Sequence, residues 1–447
     1  MKKNRLLLIG LLLAGILIVG LAPSMLRLLP TRYAMRLPQP LQVMALPVDT
    51  TPLLPTVAAP GAAAGLLSDG HKPPVVTTIE PPPSPTPLPL ASDASAHEAQ
   101  TEIVPTNTPV PLPTATPWPV PASARLSGFT HVYQEWNNCG PATMVMALTY
   151  FGRVHSQRDT AAVMRPNPED RNVTPKEMAD FVNSLEGLRS IARVNGDLDL
   201  LKRLLANEVP VIIEIGFDPP GEYRWLGWYG HYLLPVAYDD ATKQIWVYDS
   251  WLGTSEVPQT NADPNGRVLT YAELDNYWSE FNWSYIVLYE PEQETMVGEL
   301  LGNALNDDVM WQTSLERAQD TAAKQPDNAF YWFNLGTSYN ALGEYEKAAV
   351  AFDQARAIGL PWRMLWYQFG PYEAYYQVGR YDDMVLLADT TLKDRPYFEE
   401  SFYYLGLAQA ALGDPASARK NLEAAIAFNP HFTPASEALS NLFSPNG

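Results

Sequence analysis

The chain contains a single cysteine, Cys139, among its 447 residues. This scarcity excludes an intrachain disulfide and a metal site built from several thiolates, and the six histidines show no paired ligand spacing. We therefore predict no metal ion and no other cofactor. Basic residues are also scarce, since 30 Lys and Arg stand against 49 Asp and Glu, and the formal net charge is −19. An acidic body lacks the basic face that phosphate binding needs, which argues against a nucleic-acid partner.

Long hydrophobic runs are scarce as well, and the uncharged apolar run at residues 6–26 follows a basic amino end. Its length nearly spans a bilayer, so residues 1–36 are predicted to be a cytoplasmic tip and a transmembrane helix. The basic residues before the run predict a single-pass protein whose body lies on the extracytoplasmic side. Cleavage as a signal peptide is the alternative and would give a secreted protein. Pro23 disfavours a cut after Ala22, and we favour the uncleaved anchor.

Proline is concentrated in one stretch, because half of the 42 prolines lie within residues 38–121. Proline lacks the backbone N–H that regular structure needs and favours extended polyproline conformations. Residues 37–122 are therefore predicted to be a Pro-rich disordered linker that holds the body away from the membrane.

Residues 123–293 combine helix signals with short runs of branched and aromatic residues, which predicts one α+β domain. A helix is expected to start with Asn138 as its N-cap and Pro141 in its first turn. Thr174 and Thr270 are each followed by Glu at the third position, and these capping boxes predict two more helices. A further helix is expected at 198–206, and strands are expected at 209–215, 231–238, 244–249 and 284–289.

Cys139 lies at a predicted helix start, where unpaired N–H groups and the helix dipole favour a thiolate. His231 is the candidate base, and Asp249 is the candidate acid that orients it. If the strands that contain them form a hairpin, facing residues have numbers that sum to about 480–482. His231 would then lie opposite Asp249 or nearly so. Gln134 is a candidate side-chain donor to an oxyanion, with the backbone N–H of Cys139 as the second donor.

Other residues of this domain leave alternatives open. His131 precedes the candidate nucleophile and His155 follows its helix, and both are rival bases. Asp239 and Asp240 are rival acids, although their place in the predicted turn favours a role as turn formers. A lone cysteine is most often a small buried hydrophobe, and here its neighbours favour the role of nucleophile.

Several motifs together resemble the papain-like cysteine peptidases of the bacteriocin-processing, double-glycine-leader type, and more closely their stand-alone relatives: Gln134, Asn138-Cys139-Gly140-Pro141-Ala142, Gly230-His231 and Tyr248-Asp249. The resemblance covers residues 125–292. It implies a papain-like fold in which Cys139 is the nucleophile, His231 the base and Asp249 the orienting acid, with Gln134 at the oxyanion. Many relatives have Asp-Pro where this chain has Asp249-Ser250. The leader-cleaving members are fused to a transporter with an ATPase, so the fold and the chemistry carry over better than the substrate.

Residues 294–447 are repetitive, with prolines 35, 35 and 34 residues apart at Pro326, Pro361, Pro396 and Pro430. A period near 34 is typical of tetratricopeptide repeats and predicts an all-α solenoid. Repeats are expected from Ala329 and Glu399, and a middle one from Leu365 should be kinked by Pro371. A capping helix is expected from Thr433.

Resemblance to that repeat family implies a concave face that binds a protein segment. The residues placed there are Phe330, Phe333, Asn340, Trp366, Phe369, Tyr376 and Tyr403. A purely structural extension is the alternative.

Together these patterns predict a membrane-anchored extracytoplasmic cysteine peptidase that acts on a peptide or protein through an acyl-enzyme at Cys139. The helical repeats would bind a protein partner. A papain-like amidase or acyltransferase acting on cell-wall peptides is an alternative, and a non-enzymatic protein-binding adaptor is another. The adaptor is disfavoured because pure binding does not require Gln134, Cys139, His231 and Asp249 together.

Overall fold

The computed structural model describes residues 53–57, 63–68, 118, 120–170, 172–218, 227–251 and 265–443. The predicted membrane anchor at residues 6–26 lies outside these residues, as does most of the predicted linker. Within the described ranges, no helix is both long enough and apolar enough to cross a bilayer.

A seven-stranded antiparallel sheet forms the centre of the first domain. Its strands are β1 Ser123–Arg125, β2 Arg189–Arg193, β3 Val211–Phe217, β4 Tyr229–Asp239, β5 Gln244–Asp249, β6 Arg267–Thr270 and β7 Tyr285–Tyr289. They are ordered β2-β7-β3-β4-β5-β6, and β1 pairs with the end of β4. The four predicted strands correspond to β3, β4, β5 and β7. Sequence reasoning missed β1, β2 and β6, which are short and only partly buried.

The helices before residue 280 are α1 Ala63–Ser68, α2 Cys139–Tyr150, α3 Gln157–Met164, α4 Pro175–Asn183, α5 Leu198–Ala206 and α6 Tyr271–Ser279. The capping boxes predicted at Thr174 and Thr270 are both present. Asn138 occupies the N-cap position of α2, as predicted, but its side chain makes no capping hydrogen bond to the helix. Its Oδ1 instead accepts a hydrogen bond of 2.8 Å from Arg165 Nη2.

The sheet separates two apolar cores. On one face, Met146 of α2 and Phe181 of α4 pack with Leu234 of β4. On the other face, Leu204 of α5 and Trp278 of α6 belong to a core that continues into the helical region. Because α2 lies against β3 and β4, its first residue is held beside the strand that carries His231.

The helical region contains α7 Glu294–Leu301, α8 Asp307–Lys324, α9 Ala329–Ala341, α10 Tyr345–Ile358, α11 Gly370–Gln377, α12 Tyr381–Asp394, α13 Glu399–Ala411, α14 Pro415–Phe428 and α15 Thr433–Phe443. Helices begin at Ala329, Glu399 and Thr433, as the repeat pattern predicts. The middle repeat differs from expectation. A 3₁₀ helix at Trp362–Trp366 replaces its first turns, and Pro371 lies in the first turn of α11, where a missing N–H is tolerated.

Part of the predicted disordered linker is folded onto the helical region, so the prediction is wrong for residues 53–57 and 63–68. Leu54 is buried, and its N–H donates to the Leu360 carbonyl at 2.9 Å. The α1 helix packs on α8 and α10. These segments hold several leucines and alanines, so they have apolar surface to bury, which a pure proline tract lacks.

The predicted binding face of the repeats is largely covered. Phe330 stacks on Trp228 of the first domain with ring centres 5.6 Å apart. Trp366 is buried and contacts Tyr229, whereas Phe333 packs on Phe352 inside the repeats. These positions therefore serve internal packing. The partly exposed members of the predicted face are Phe330, Phe369, Tyr376 and Tyr403.

Three carboxyl groups meet where the helical region touches the first domain. Oxygens of Asp170, Glu399 and Glu400 lie within 4.8 Å of one another. Burial, followed by the negative charge of Glu399, raises the pKa of Asp170 well above its ordinary value. Burial, followed by the charge of Asp170, does the same to the pKa of Glu400. Ionising Asp170 or Glu400 in the folded chain is therefore unfavourable.

We expect Asp170→Asn to raise the thermal midpoint by ~2–4 °C at pH 7.5, because the amide cannot ionise. A carboxyl with a raised folded-state pKa binds more protons folded than unfolded, so stability falls as pH rises above ~4. The gain should therefore be smaller at pH 4.5. Scanning calorimetry at the two pH values measures this, with the exposed Asp327→Asn as control. Equal gains at both pH values would contradict the electrostatic cause.

Candidate active site

Cys139 is the first residue of α2, and its side chain is half-buried. The N–H groups of a first helical turn have no intrahelical acceptors, so they favour an anion there. The next residue, Gly140, packs closely against Val173 and Tyr232. If it carried a side chain, its Cβ would lie 3.3 Å from Val173 Cβ and 3.6 Å from the Tyr232 ring. The sequence Cys-Gly-Pro therefore lets the start of α2 approach β4 closely.

His231 and Asp249 meet diagonally across the β4–β5 hairpin. Asp249 pairs with Leu233, and a bulge between Pro235 and Ala237 shifts the remaining register by one residue. His231 and Leu233 are two residues apart, so their side chains share a face of the strand. His231 Nε2 lies 2.9 Å from Asp249 Oδ1. The hairpin prediction was right about proximity, although the two residues are not directly paired.

The electrostatics favour a charged imidazole. Burial lowers the pKa of His231, but the Asp249 carboxylate, its hydrogen bond to the ring and the neighbouring Cys139 side chain outweigh burial and raise this pKa to about 9. Because Nε2 faces Asp249, the other ring nitrogen is left for the sulfur. Burial opposes ionisation of Asp249, yet His231 and Arg267 hold the pKa of that carboxyl below its ordinary value.

Arg267 on β6 is a member of this site that sequence reasoning missed. Its Nη1 donates to Asp249 Oδ2 at 2.6 Å, and the backbone N–H of Trp251 donates to Oδ1 at 2.8 Å. Only 9 % of the Arg267 side chain and 2 % of the Asp249 side chain are exposed. Charges therefore alternate from Arg267 through Asp249 to His231, the residue beside Cys139.

Gln134 is anchored to the residue that follows Asp249. Its Oε1 accepts from Ser250 Oγ at 3.0 Å, and its backbone N–H donates to the Ser250 carbonyl at 2.8 Å. With Oε1 engaged as an acceptor, the amide NH₂ is the group that Gln134 can offer as a donor. Ser250, which stands where many relatives have proline, thus orients this side chain.

Glu214 of β3 is a second residue that sequence reasoning missed. It pairs with Tyr232, next to His231, and only 2 % of it is exposed. Burial, together with the negative charge of Cys139, raises the pKa of this carboxyl well above its ordinary value. A neutral Glu214 places no second negative charge beside His231. A lone Glu within the apolar run Val-Ile-Ile-Glu-Ile was the signal available in the sequence.

The rival residues have other partners. His131 Nε2 lies 2.7 Å from the backbone carbonyl of Asp249, which supports the strand end rather than the thiol. His155 packs against the Phe181 ring. Asp239 accepts from the Ala241 N–H within the turn, and Asp240 pairs with Lys202. The structure thus brings together Cys139, His231 and Asp249, and it holds Gln134 beside the last of these.

The comparisons with known proteins match parts of the chain. Residues 126–283 match the model of the Peptidase_C39 like family, and residues 400–431 match that of the tetratricopeptide repeat. No curated protein matches the chain. A crystal structure described as that of a "putative C39-like peptidase from Bacillus anthracis" is similar, with 12% identity and a TM-score of 0.30. The match covers 38% of this chain and 98% of that one.

The family match covers strands β2 to β6 and helices α2 to α6, and the repeat match lies on α13 and α14. Both agree with the resemblances that the sequence motifs indicate. The chain therefore contains a domain that matches the Peptidase_C39 like family, followed by a helical region that matches a tetratricopeptide repeat.

Proposed function

We propose that this protein is a cysteine peptidase that hydrolyses peptide bonds with Cys139, His231 and Asp249 as its catalytic triad. The observation that carries the proposal is a lone thiol at a helix start beside His231, whose imidazole lies 2.9 Å from a buried carboxylate that raises its pKa. The Cys139 thiolate attacks the carbonyl carbon of the peptide. The resulting oxyanion is stabilised by the Cys139 N–H and the Gln134 amide.

The imidazolium of His231 then gives its proton to the leaving amine, and the C–N bond breaks to leave a thioester on Cys139. Water hydrolyses this thioester, with neutral His231 accepting its proton. Asp249 and Arg267 keep the imidazole oriented throughout. The substrate is a peptide or a protein.

The placement of this activity is also a proposal. We infer that residues 6–26 anchor the chain in the membrane and that the body lies on the extracytoplasmic side. The basic amino end before the apolar run and the proline-rich residues that follow it support this arrangement. Protease added to intact cells should remove the body while leaving the amino end protected.

The rate of Cys139 alkylation by iodoacetamide from pH 4 to 9 tests the proposed chemistry on the purified full chain. A raised pKa keeps His231 charged below about pH 9, so the thiolate–imidazolium pair should persist up to that pH. We therefore expect fast alkylation well below ~8.5, the pKa of a free thiol. At pH 6 the His231→Ala control should react on the order of 100-fold more slowly.

Since Cys139 is the sole cysteine, the labelled site is unambiguous. A wild-type rate that rises only near pH 8.5, as in the control, would show that the thiol is not activated. A non-enzymatic protein that binds a partner through its helical region would then be the better-supported function.

A further inference from the structure

Arg165, which follows α3, ties a loop to the residue that precedes Cys139. Its Nη2 donates to Asn138 Oδ1 at 2.8 Å. Its Nη1 donates to backbone carbonyls of the same loop, at 3.1 Å to Asn167, 2.7 Å to Pro168 and 3.0 Å to Asp170. The guanidinium is buried, and the loop wraps around it. The position of the loop therefore fixes the position of the Asn138 side chain.

The same loop is held from the other side by the helical region. Asn167 Nδ2 donates to the Tyr397 carbonyl and to Glu399 Oε2, both at 2.7 Å. Glu399 Oε1 accepts from Asn429 Nδ2 at 2.8 Å. Glu399 is the first residue of α13 and is 2 % exposed. A buried chain of polar contacts thus runs from the repeats through Asn167 and Arg165 to Asn138.

The turn at the end of this chain needs external support. Asn137 has a φ of 59°, in the left-handed region that a side chain disfavours. The Asn138 side chain does not cap α2, so the usual device that fixes a helix start is absent here. The backbone N–H of Cys139 belongs to this turn. Its direction decides whether it points at the same oxygen as the Gln134 amide.

We propose that the helical repeats position the catalytic turn. Glu399, acting through Asn167 and Arg165, holds residues 137–139 so that the Cys139 N–H and the Gln134 amide converge on the oxyanion. This inference rests on the proposed function and adds a role for the repeats within the active site. Arg165, Asn167 and Glu399 are positioning residues, since they act on the reaction through Asn138.

Two small reagents distinguish a loss of oxyanion-donor positioning from a general loss of order at the active site. With p-nitrophenyl acetate, the Cys139 sulfur bonds to the carbonyl carbon, an oxyanion forms, and p-nitrophenolate leaves as the C–O bond breaks. With iodoacetamide, the sulfur displaces iodide from a saturated carbon and no oxyanion forms. The ratio of the two rates therefore reports the oxyanion donors and is independent of peptide specificity.

The test variant is Asn167→Ala, and the matched control is Asn429→Ala, which removes the other bond to Glu399 and leaves the path to Asn138 intact. We expect Asn167→Ala to slow acylation by ~10-fold, a fraction of what loss of a whole oxyanion donor costs. Its alkylation rate and its thermal midpoint should stay close to wild type. The control should change neither rate more than about twofold, and Gln134→Ala gives the full effect for reference.

Equal losses of both rates in Asn167→Ala, or loss of neither, would overturn the inference. If Asn167→Ala does not fold, Glu399→Gln provides the test. This variant keeps the shape of the side chain and loses one of the two carboxylate oxygens that accept hydrogen bonds. It should show a smaller loss that is still confined to acylation. A wild-type chain that reacts with neither probe would instead refute the proposed function, which distinguishes the two failures.

Discussion

Replacing Cys139 by alanine is expected to lower the hydrolysis of p-nitrophenyl acetate by at least ~10⁴-fold. The variant loses the sulfur that forms the acyl-enzyme, whereas the oxyanion donors and the imidazole remain. The change also removes little volume from a half-buried position, so the fold should survive. The measurement is p-nitrophenolate release by the full chain, with circular dichroism as the check on folding.

Two histidine variants sharpen this experiment. His231→Ala should approach the Cys139→Ala level, because the variant loses the imidazole that lies beside the thiol. His131→Ala should cost less than ~10-fold, since its ring contacts only the Asp249 carbonyl among the triad residues described. Substantial hydrolysis by Cys139→Ala would refute the nucleophile, and a larger loss in His131→Ala than in His231→Ala would reassign the base.

Local patterns predicted much of this fold. The capping boxes at Thr174 and Thr270, the helix at 198–206 and the repeat starts at Ala329 and Glu399 all depend on neighbours within a few residues. Such signals are readable because caps and periodicity are short-range properties of the chain. The strands β3, β4, β5 and β7 followed from their branched and aromatic residues for the same reason.

Proximity of His231 to Asp249 was predictable because a hairpin links sequence position to register. Its diagonal geometry was not, since it depends on a bulge at Pro235/Ala237 that no local residue pattern announces. Arg267 was missed because it lies on a strand separated from Asp249 by a long connection. The Asn138 side chain does not cap α2 for a similar reason, because Arg165, 27 residues further along the chain, donates a hydrogen bond to it.

Packing between the two regions was beyond sequence reasoning. The positions assigned to a binding face by repeat resemblance are large and aromatic, and such residues suit either a ligand or an internal contact. In the structure, Phe330 packs against Trp228 of the first domain, and Trp366 packs against Tyr229. A repeat pattern describes the helices themselves, and it carries no information on the surface that they contact.

The second large effect is expected at Asp249, and a pair of variants separates its catalytic role from its structural one. Asp249→Asn removes the charge that raises the pKa of His231 to about 9, so this pKa should fall toward its ordinary ~6.5. The thiol then lacks a cationic imidazole beside it at neutral pH. We expect hydrolysis to fall by roughly 100-fold or more, and alkylation at pH 7 to slow with it.

Asp249→Asn should also destabilise the fold by ~3–5 kcal/mol, because it leaves the nearly buried Arg267 guanidinium without its carboxylate. Adding Arg267→Met removes the stranded cation, so the double variant should recover most of the urea-unfolding midpoint. It should not recover hydrolysis, since His231 still lacks its anionic partner. Recovery of both properties would mean that Asp249 serves only to neutralise Arg267. Recovery of stability alone would assign to Asp249 the role of charging the imidazole beside Cys139.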